Sequence, residues 1–249
     1  MDELDRPLAL LIDGDNISYT LIRQIIEESS KYGQVMMKQV YGDWTLPEMQ
    51  GWISQFQEFA ITPIQVFRNR KGKNATDSAL IIDAMDILHD DVIQGYCIAT
   101  SDSDYTTLAL RIKAHGKSVI GIGAESTHIS FTNACTKFIK TENLVPITSD
   151  STGKKSKKKV VSAVNDKSKN EQKRLKELSD SLVKAYDSLS ATLSTVNLAD
   201  LGDYMGKIEP GFDTRNYGCK KLADLIQKFP DLFEMERKQN QKIIITRKE

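Results

Sequence analysis

The first 150 residues of the chain alternate short apolar segments with longer amphipathic ones. Helical periodicity lies between the apolar segments, as in residues 75–91. Consecutive parallel strands need a crossover, usually a helix, and near-continuous apolar strands are typical of sheets covered on both faces. The pattern predicts an α/β domain with a parallel, Rossmann-like sheet and helices on both faces. The predicted strands are residues 8–12, 34–41, 61–67, 95–100 and 117–123.

Charge divides the 249-residue chain into three parts, although its net charge is zero. Residues 1–150 contain 13 Lys or Arg and 20 Asp or Glu, whereas residues 151–174 contain 9 basic and 2 acidic residues. Residues 151–172 have little apolar content, which predicts a basic, flexible linker. Helical segments and a strand-like end at 242–247 follow, which predicts a small winged-helix domain over residues 173–249.

Several classes of protein are disfavoured by the composition. The three cysteines are widely spaced without a CxxC pair, and the three histidines lack the spacing of zinc ligands. No apolar run approaches the roughly 20 residues that span a bilayer. The first residues, MDELDRP, lack the apolar centre of a secretory signal. We therefore expect a cytoplasmic protein without a membrane segment.

Acidic residues follow two of the predicted strands. Asp13 follows the strand of residues 8–12, and Asp102 and Asp104 follow the strand of residues 95–100. Ligands bind beyond the carboxyl ends of strands in such sheets, so neighbouring strands would bring Asp13 and Asp102 together. Carboxylates held close repel one another unless a cation or a proton separates them. Oxygen ligands without His or Cys favour Mg²⁺ or Mn²⁺.

Asp77 is a further acidic candidate, at the start of the helix predicted over residues 75–91. At ~100° per residue it shares a face with apolar residues, where a carboxylate costs free energy unless it is paired or bound to a metal. The alternative for each single acid is helix capping, for example by Ser103 or Asp104. The acids as a set favour a metal site. The apolar residues on this face are Leu80, Ile81, Ala84 and Leu88, and the acids predicted to face solvent are Asp83, Asp86 and Asp90.

Basic and aromatic residues near this edge are candidates for RNA contact. The loop before Asp77 would either bind phosphates beside a scissile bond or be simply solvated. Trp44 would either stack on a base or fill the space beneath the helix predicted over residues 46–56. The lysines of residues 154–159 would attract polyanions without specificity or keep the linker soluble. The basic residues of the loop are Arg68, Arg70, Lys71 and Lys73.

Four motifs in the first domain resemble the NYN domain, in the LabA-like branch of the PIN-type ribonucleases. They are LIDGDN, KGKNATD, IATSDSDYTTLALRIKAHGKSVIGIG and ISFTNACTKFIKTENL, within about residues 7–147. The resemblance implies an endoribonuclease that depends on a divalent metal, Mg²⁺ or Mn²⁺. It implies that Asp13, Asp77, Asp102 and Asp104 hold the metal and that Asn16 orients water or phosphate. Ser101 stands where the family often has Gly.

The C-terminal segment NLADLGDYMGKIEPGFDTRNYGCKKLADLIQKFPDLFEME resembles the LOTUS domain, also called OST-HTH. The resemblance covers about residues 175–248 and implies binding of RNA, in some members G-rich or folded RNA, and in others of a protein partner. Arg215, Lys220 and Lys221 flank a helix expected to begin near residue 216, where they would meet phosphate. Apolar residues at helical spacing form the expected core, namely Leu222, Leu225, Ile226 and Phe229.

Three functions compete on this sequence. The first is a metal-dependent endoribonuclease whose C-terminal domain recruits single-stranded or structured RNA. The second is a non-cleaving RNA-binding regulator that retains the metal site. The third is a phosphatase, because Asp13-Gly14-Asp15 has the DxD pattern of haloacid-dehalogenase-like enzymes, in which the first Asp is a nucleophile. That family requires Thr or Val where Ile17 stands, which disfavours the phosphatase.

Overall fold

The chain forms two compact units, Met1–Pro146 and Ile147–Glu249. The structure is a computed structural model that describes residues 6–67, 75–144, 163–238 and 242–248, without the side chains of 163–172. Within these residues, no helix combines the length and the apolar character that crossing a membrane requires.

The first unit contains strands and helices in alternation, as predicted. Its strands are β1 (Pro7–Asp13), β2 (Gln34–Gly42), β3 (Thr62–Gln65), β4 (Gly95–Ala99), β5 (Ser118–Gly123) and β6 (Lys137–Lys140). Its α-helices are α1 (Ile22–Ser29), α2 (Ile53–Glu58), α3 (Ala75–Leu88), α4 (Thr106–Ala114) and α5 (Ile129–Ala134). Shorter 3₁₀ helices are Tyr19–Leu21, Pro47–Trp52, Ser103–Tyr105 and Thr141–Asn143.

The six strands form one parallel sheet in the order β3-β2-β1-β4-β5-β6. Strands β1, β2 and β3 form one half of the sheet, in order outward from its centre, and β4, β5 and β6 form the other half in the opposite direction. Ile12 pairs with Ala99, so Asp13 and Thr100 follow at the same edge. The predicted neighbourhood of β1 and β4 is confirmed. The strand order reverses between β1 and β4, and open α/β sheets bind ligands beyond the carboxyl ends of the strands at such a point.

Hydrophobic cores cover both faces of this sheet, as the continuous apolar strands predict. Alternate residues of β1 point to opposite sides because side chains alternate along a strand. Leu11 packs with Leu80 of α3 in one core, and Leu10 packs with Ile25 of α1 in the other. Each fully buried Leu or Ile contributes roughly 1.5–3 kcal/mol.

The second unit combines helices with a small antiparallel sheet in the order β7-β9-β8. The strands β8 and β9 pair as the expected hairpin, with Phe233 opposite Arg247. Asn197 caps α7 by accepting hydrogen bonds from the N–H groups of Ala199 and Asp200. The elements are α6 (Ala163–Ser190), β7 (Val196–Asn197), α7 (Leu198–Ile208), the 3₁₀ helix Thr214–Tyr217, α8 (Leu222–Ile226), β8 (Phe233–Arg237) and β9 (Ile243–Arg247).

Two boundaries in this unit differ from the prediction. The helix expected near residue 216 is only a 3₁₀ turn, because Gly218 adopts φ +69° and ends it, and α8 starts at Leu222. Helix α6 begins at Ala163, so residues 163–172 of the predicted linker are helical. The expected core is confirmed, with Leu225 and Ile226 buried and Leu222 and Phe229 packed against them.

Candidate active site

Asp13 lies at the end of β1 with no exposed surface. Its Oδ2 atom accepts hydrogen bonds from Asn16 Nδ2 at 2.6 Å and from Thr100 Oγ1 at 3.0 Å. Its Oδ1 atom accepts from the backbone N–H groups of Asp15 and Asn16 at 3.2 and 3.3 Å. Four donors from two strand ends therefore fix the carboxylate in one orientation.

Gly14 allows the loop after β1 to lie close to β2. Its N–H donates to the carbonyl oxygen of Tyr41 at 2.9 Å. A Cβ atom at this position would lie 2.7 Å from the same oxygen and 3.2 Å from the ring of Trp44. Only glycine fits this approach without moving backbone, so the loop that holds Asp13 depends on it.

Tyr105 connects Asp13 with Asp77. Its hydroxyl donates to Asp77 Oδ1 at 2.9 Å and lies 3.5 Å from Asp13 Oδ2. The tyrosine is fully buried, whereas Asp77, in the first turn of α3, is half-buried. Burial, followed by the charges of these acids, raises the pKa of Tyr105 far above its usual value, so the phenol keeps its proton.

Asp102 caps the 3₁₀ helix that precedes α4. Its Oδ1 accepts the backbone N–H of Asp104 at 2.9 Å, and its own N–H donates to Thr100 Oγ1 at 3.1 Å. The capping alternative is therefore observed at Asp102, whereas the sequence had suggested Ser103 or Asp104. The hydroxyl of Thr100 links this cap to Asp13.

The acids share one electrostatic environment. Burial is the main cause that raises the pKa of Asp13, and the charges of Asp77 and Asp15 raise it further, although hydrogen bonds from Asn16 and Thr100 lower it. Burial likewise raises the pKa of Asp77 above its usual range, against the hydrogen bond from Tyr105. Three further carboxylates add to this rise, those of Asp102, Asp104 and Asp15.

The chemistry of these donors fits a hard divalent cation. Carboxylate oxygens predominate, and mutual repulsion already disfavours the charged form of two of them. Their arrangement is incomplete, since the described residues contain no group of three or more His, Cys, Asp or Glu side chains placed to hold a metal ion. The predicted residues are thus brought to one edge without forming a ligand set there.

Three residues of this edge were missed as site candidates. Thr100 and Tyr105 supply the hydroxyls described above, and Thr76 donates to Asp15 Oδ2 at 2.9 Å. The signal that could have found them is their position, since Thr100 and Tyr105 bracket Asp102 and Thr76 precedes Asp77. Each of these hydroxyls donates to an acid of another element, as groups that orient metal ligands commonly do.

Two expectations near the site are settled by side-chain contacts. Asp83 is half-buried and accepts a hydrogen bond from the hydroxyl of Tyr41 at 3.0 Å, so it faces solvent only in part, whereas Asp86 is exposed as expected. The ring of Trp44 makes edge contacts with Trp52 and Phe56. Trp44 therefore fills the space beneath α2, which was the alternative to stacking on a base.

The basic residues proposed for RNA have different surroundings. Arg215 forms an ion pair with Asp213, with 2.6 Å between Nη2 and Oδ2, and its N–H is held by the same residue. Lys220 and Lys221 are exposed, but the N–H of Lys221 donates to Asp224. The backbone N–H groups of Arg215 and Lys221 are therefore already hydrogen-bonded within the chain. Arg68, Arg70, Lys71, Lys73 and residues 154–159 lie outside the described residues.

The fold and the acidic edge define a PIN-like α/β nuclease domain joined to a helical domain with a small sheet. Family comparison agrees, because the NYN domain model matches residues 7–145 and the OST-HTH/LOTUS domain model matches residues 155–245. The chain belongs to the NYN domain family. The two matches confirm the resemblance to the NYN and LOTUS domains, but they do not assign the chain to the LabA-like branch.

No curated protein matches the chain. A crystal structure of a protein of unknown function from Vibrio parahaemolyticus is similar over 56% of this chain and 95% of its own, with 17% identity and a TM-score of 0.46.

The two domains together indicate the general activity. NYN domains belong to the PIN-like nuclease superfamily, and OST-HTH domains point to RNA binding. The chain therefore has the parts of an RNA-related nuclease.

Proposed function

We propose that the protein is a divalent-metal-dependent endoribonuclease. The observation that carries the proposal is the contact of one buried hydroxyl, that of Tyr105, with Asp13 and Asp77, beside the cap formed by Asp102. The acids of β1, of α3 and of the loop after β4 thus lie near enough to affect one another's charge, which supports the proposal. A structural role alone does not require such convergence.

Asp13, Asp77, Asp102 and Asp104 would hold Mg²⁺ or Mn²⁺. A bound ion polarises a phosphate oxygen and lowers the pKa of a bound water. The chain itself orients the carboxylates, since Asn16 and Thr100 hold Asp13 Oδ2 and Tyr105 holds Asp77 Oδ1. We therefore give Asn16 the additional task of positioning Asp13.

The test is cleavage of labelled RNA by the full chain with Mg²⁺ or Mn²⁺. Asp13→Asn and Asp102→Asn should each reduce the rate by at least about 100-fold, since even residues that support metal ligands commonly contribute 10–100-fold. Asp86→Asn is the matched control, because Asp86 is exposed on α3 and outside the site. If the site variants cleave RNA as fast as this control, the proposed acidic site does not carry out the cleavage.

We further propose that the C-terminal domain recruits RNA through Lys220 and Lys221, which are exposed. The double variant Lys220→Ala with Lys221→Ala should weaken binding and reduce the dependence of log affinity on log salt by about 1.4, at roughly 0.7 per phosphate contact for single strands. Arg215→Ala should instead lower stability, because it breaks the ion pair with Asp213. An unchanged salt dependence in the double variant would contradict this assignment.

The alternative is a non-cleaving RNA-binding regulator. The observation in its favour is that the described acidic residues form no ready ligand set. RNA binding that persists in EDTA, with no cleavage product under Mg²⁺ or Mn²⁺, would support this alternative over the nuclease.

A further inference from the structure

The hydroxyl of Tyr105 is placed between two carboxylates but can serve only one of them as a donor. A phenol carries a single hydrogen. The distance of 2.9 Å to Asp77 Oδ1 is that of a hydrogen bond, whereas 3.5 Å to Asp13 Oδ2 lies at the outer limit. The hydrogen therefore points to Asp77, while the oxygen remains beside Asp13.

The ring of Tyr105 is rigidly held, in contrast to the carboxylate that it contacts. Tyr105 has no exposed surface and belongs to the core cluster that includes Leu80 and Leu108. Side chains in such cores are closely packed and sit in rotamer minima. Asp77 is only half-buried. Tyr105 thus fixes from the core side an acid whose other side reaches solvent.

We propose that Tyr105 is a positioning residue that keeps Asp77 turned toward Asp13 before a divalent cation arrives. The inference rests on the proposed function, since it assigns a task within the same metal site. Without the hydroxyl, repulsion from the carboxylates of Asp102, Asp104 and Asp15 would turn the charge of Asp77 toward solvent. The cation would then bind more weakly, because part of its binding free energy would be needed to turn Asp77 back toward Asp13.

Metal affinity measured without RNA tests this inference directly. The probe is Mn²⁺, titrated into the full chain and followed by the paramagnetic signal of the unbound ion. Tyr105→Phe should weaken Mn²⁺ binding about 10-fold, the lower part of the 10–100-fold range for residues that orient metal ligands. The phenylalanine ring fills the same space, so the fold is expected to persist.

Tyr96→Phe is the matched control. Tyr96 is also fully buried and lies in the same core cluster, but its hydroxyl donates to the backbone carbonyl of Ala84 at 3.3 Å and contacts no acid of the site. Tyr96→Phe therefore removes a hydroxyl oxygen from the same core as Tyr105→Phe does. Equal Mn²⁺ affinity in Tyr105→Phe and Tyr96→Phe would overturn the inference.

A double-mutant cycle separates positioning from general packing. In the Asp77→Asn background the hydroxyl has no charged acid to position, so Tyr105→Phe should have little further effect on Mn²⁺ affinity. If the two substitutions instead weaken binding independently, Tyr105 does not act through Asp77 and the inference is wrong. The cycle remains informative even if Tyr105→Phe lowers stability.

The wild-type titration distinguishes the inference from the function on which it rests. If the wild-type chain binds Mn²⁺ and Asp13→Asn does not, the proposed metal site is supported. The comparison of Tyr105→Phe with Tyr96→Phe then tests only the role of Tyr105. If the wild-type chain binds no Mn²⁺, the proposed metal-dependent function fails and the inference fails with it.

Discussion

Asp77→Asn should make the metal-free protein more stable, although it removes a residue of the proposed site. Burial is the largest cause that raises the pKa of Asp77, and neighbouring carboxylates add to it, whereas the hydrogen bond from Tyr105 lowers it. Since the pKa is raised overall, the hydrogen bond does not offset the other two effects. Ionised Asp77 therefore destabilises the folded state.

The size of the gain follows from what the substitution changes. The amide oxygen of Asn can still accept the Tyr105 hydroxyl, which is 2.9 Å away, so the shape and the hydrogen bond remain. The charge is lost. Single stabilising substitutions commonly contribute about 0.5–2 kcal/mol, and we expect about 1 kcal/mol from loss of this charge. For a domain of this size this raises Tm by about 2–4 °C.

The gain should depend on pH in a defined direction. Below the ordinary pKa of 3.8 a carboxyl group is neutral in both the folded and the unfolded chain, so Asp77 has no cost there. The cost grows between pH 3.8 and the raised pKa of the folded state, and it is constant above that value. The difference in Tm between the variant and the wild type should therefore be largest at neutral pH and vanish below pH 3.8.

Thermal unfolding in EDTA, followed by tryptophan fluorescence, measures this effect in the first unit. Both tryptophans of the chain, Trp44 and Trp52, pack in its core. Asp86→Asn is the control, because it removes an exposed charge from the same helix. If Asp77→Asn lowers Tm, or raises it equally at all pH values, the repulsion inferred at this site is wrong.

Three further substitutions test the packing that holds the site and the second unit. Thr100→Val should cost about 1–3 kcal/mol in urea unfolding followed by tryptophan fluorescence, because the buried Asp13 carboxylate loses a donor. Gly14→Ala should cost about 1–3 kcal/mol in the same assay, because its Cβ would press against the carbonyl oxygen of Tyr41. Gly218→Ala should cost about 1 kcal/mol, measured by circular dichroism, because φ is +69° there. A cost below about 0.3 kcal/mol in any of them would contradict the stated contact.

The parallel sheet could be predicted because its central strands are buried on both faces. Residues 8–12 and 95–99 are continuous apolar or small segments that end at polar residues, and no amphipathic helix produces that pattern. Strand β6 was missed because it is short and lies at the edge of the sheet, with lysine at both ends. An edge strand has only one neighbour, so its sequence is less constrained.

The acids of the site could be predicted from their positions, but the hydroxyls that hold them could not. A threonine after a strand and a tyrosine before a helix are common in any α/β protein. Only the pairing of β1 with β4 places Thr100 beside Asp13. Only the packing of α3 against the start of α4 places Tyr105 beside Asp77.

The misplaced helix of the second unit has a local cause. The segment from 222 to 229 contains apolar residues at helical spacing, and the helix that carries them was expected to begin near residue 216. Gly218 interrupts it with a left-handed conformation, and residues 219–221 separate the 3₁₀ turn from α8. A glycine followed by renewed periodicity is typical of a helix end and a second start.

The electrostatics of Asp13 weigh against helix capping as its only role. A carboxylate that accepts two or three backbone N–H groups in a structural cap usually has a lowered pKa. Asp13 accepts two backbone N–H groups and two side-chain donors, and burial still raises its pKa. The chain thus keeps a carboxylate where even four donors do not compensate its burial and the nearby charge of Asp77. A positive ion is the partner that would remove this cost, so Mn²⁺ should stabilise the wild type more than it stabilises Asp77→Asn.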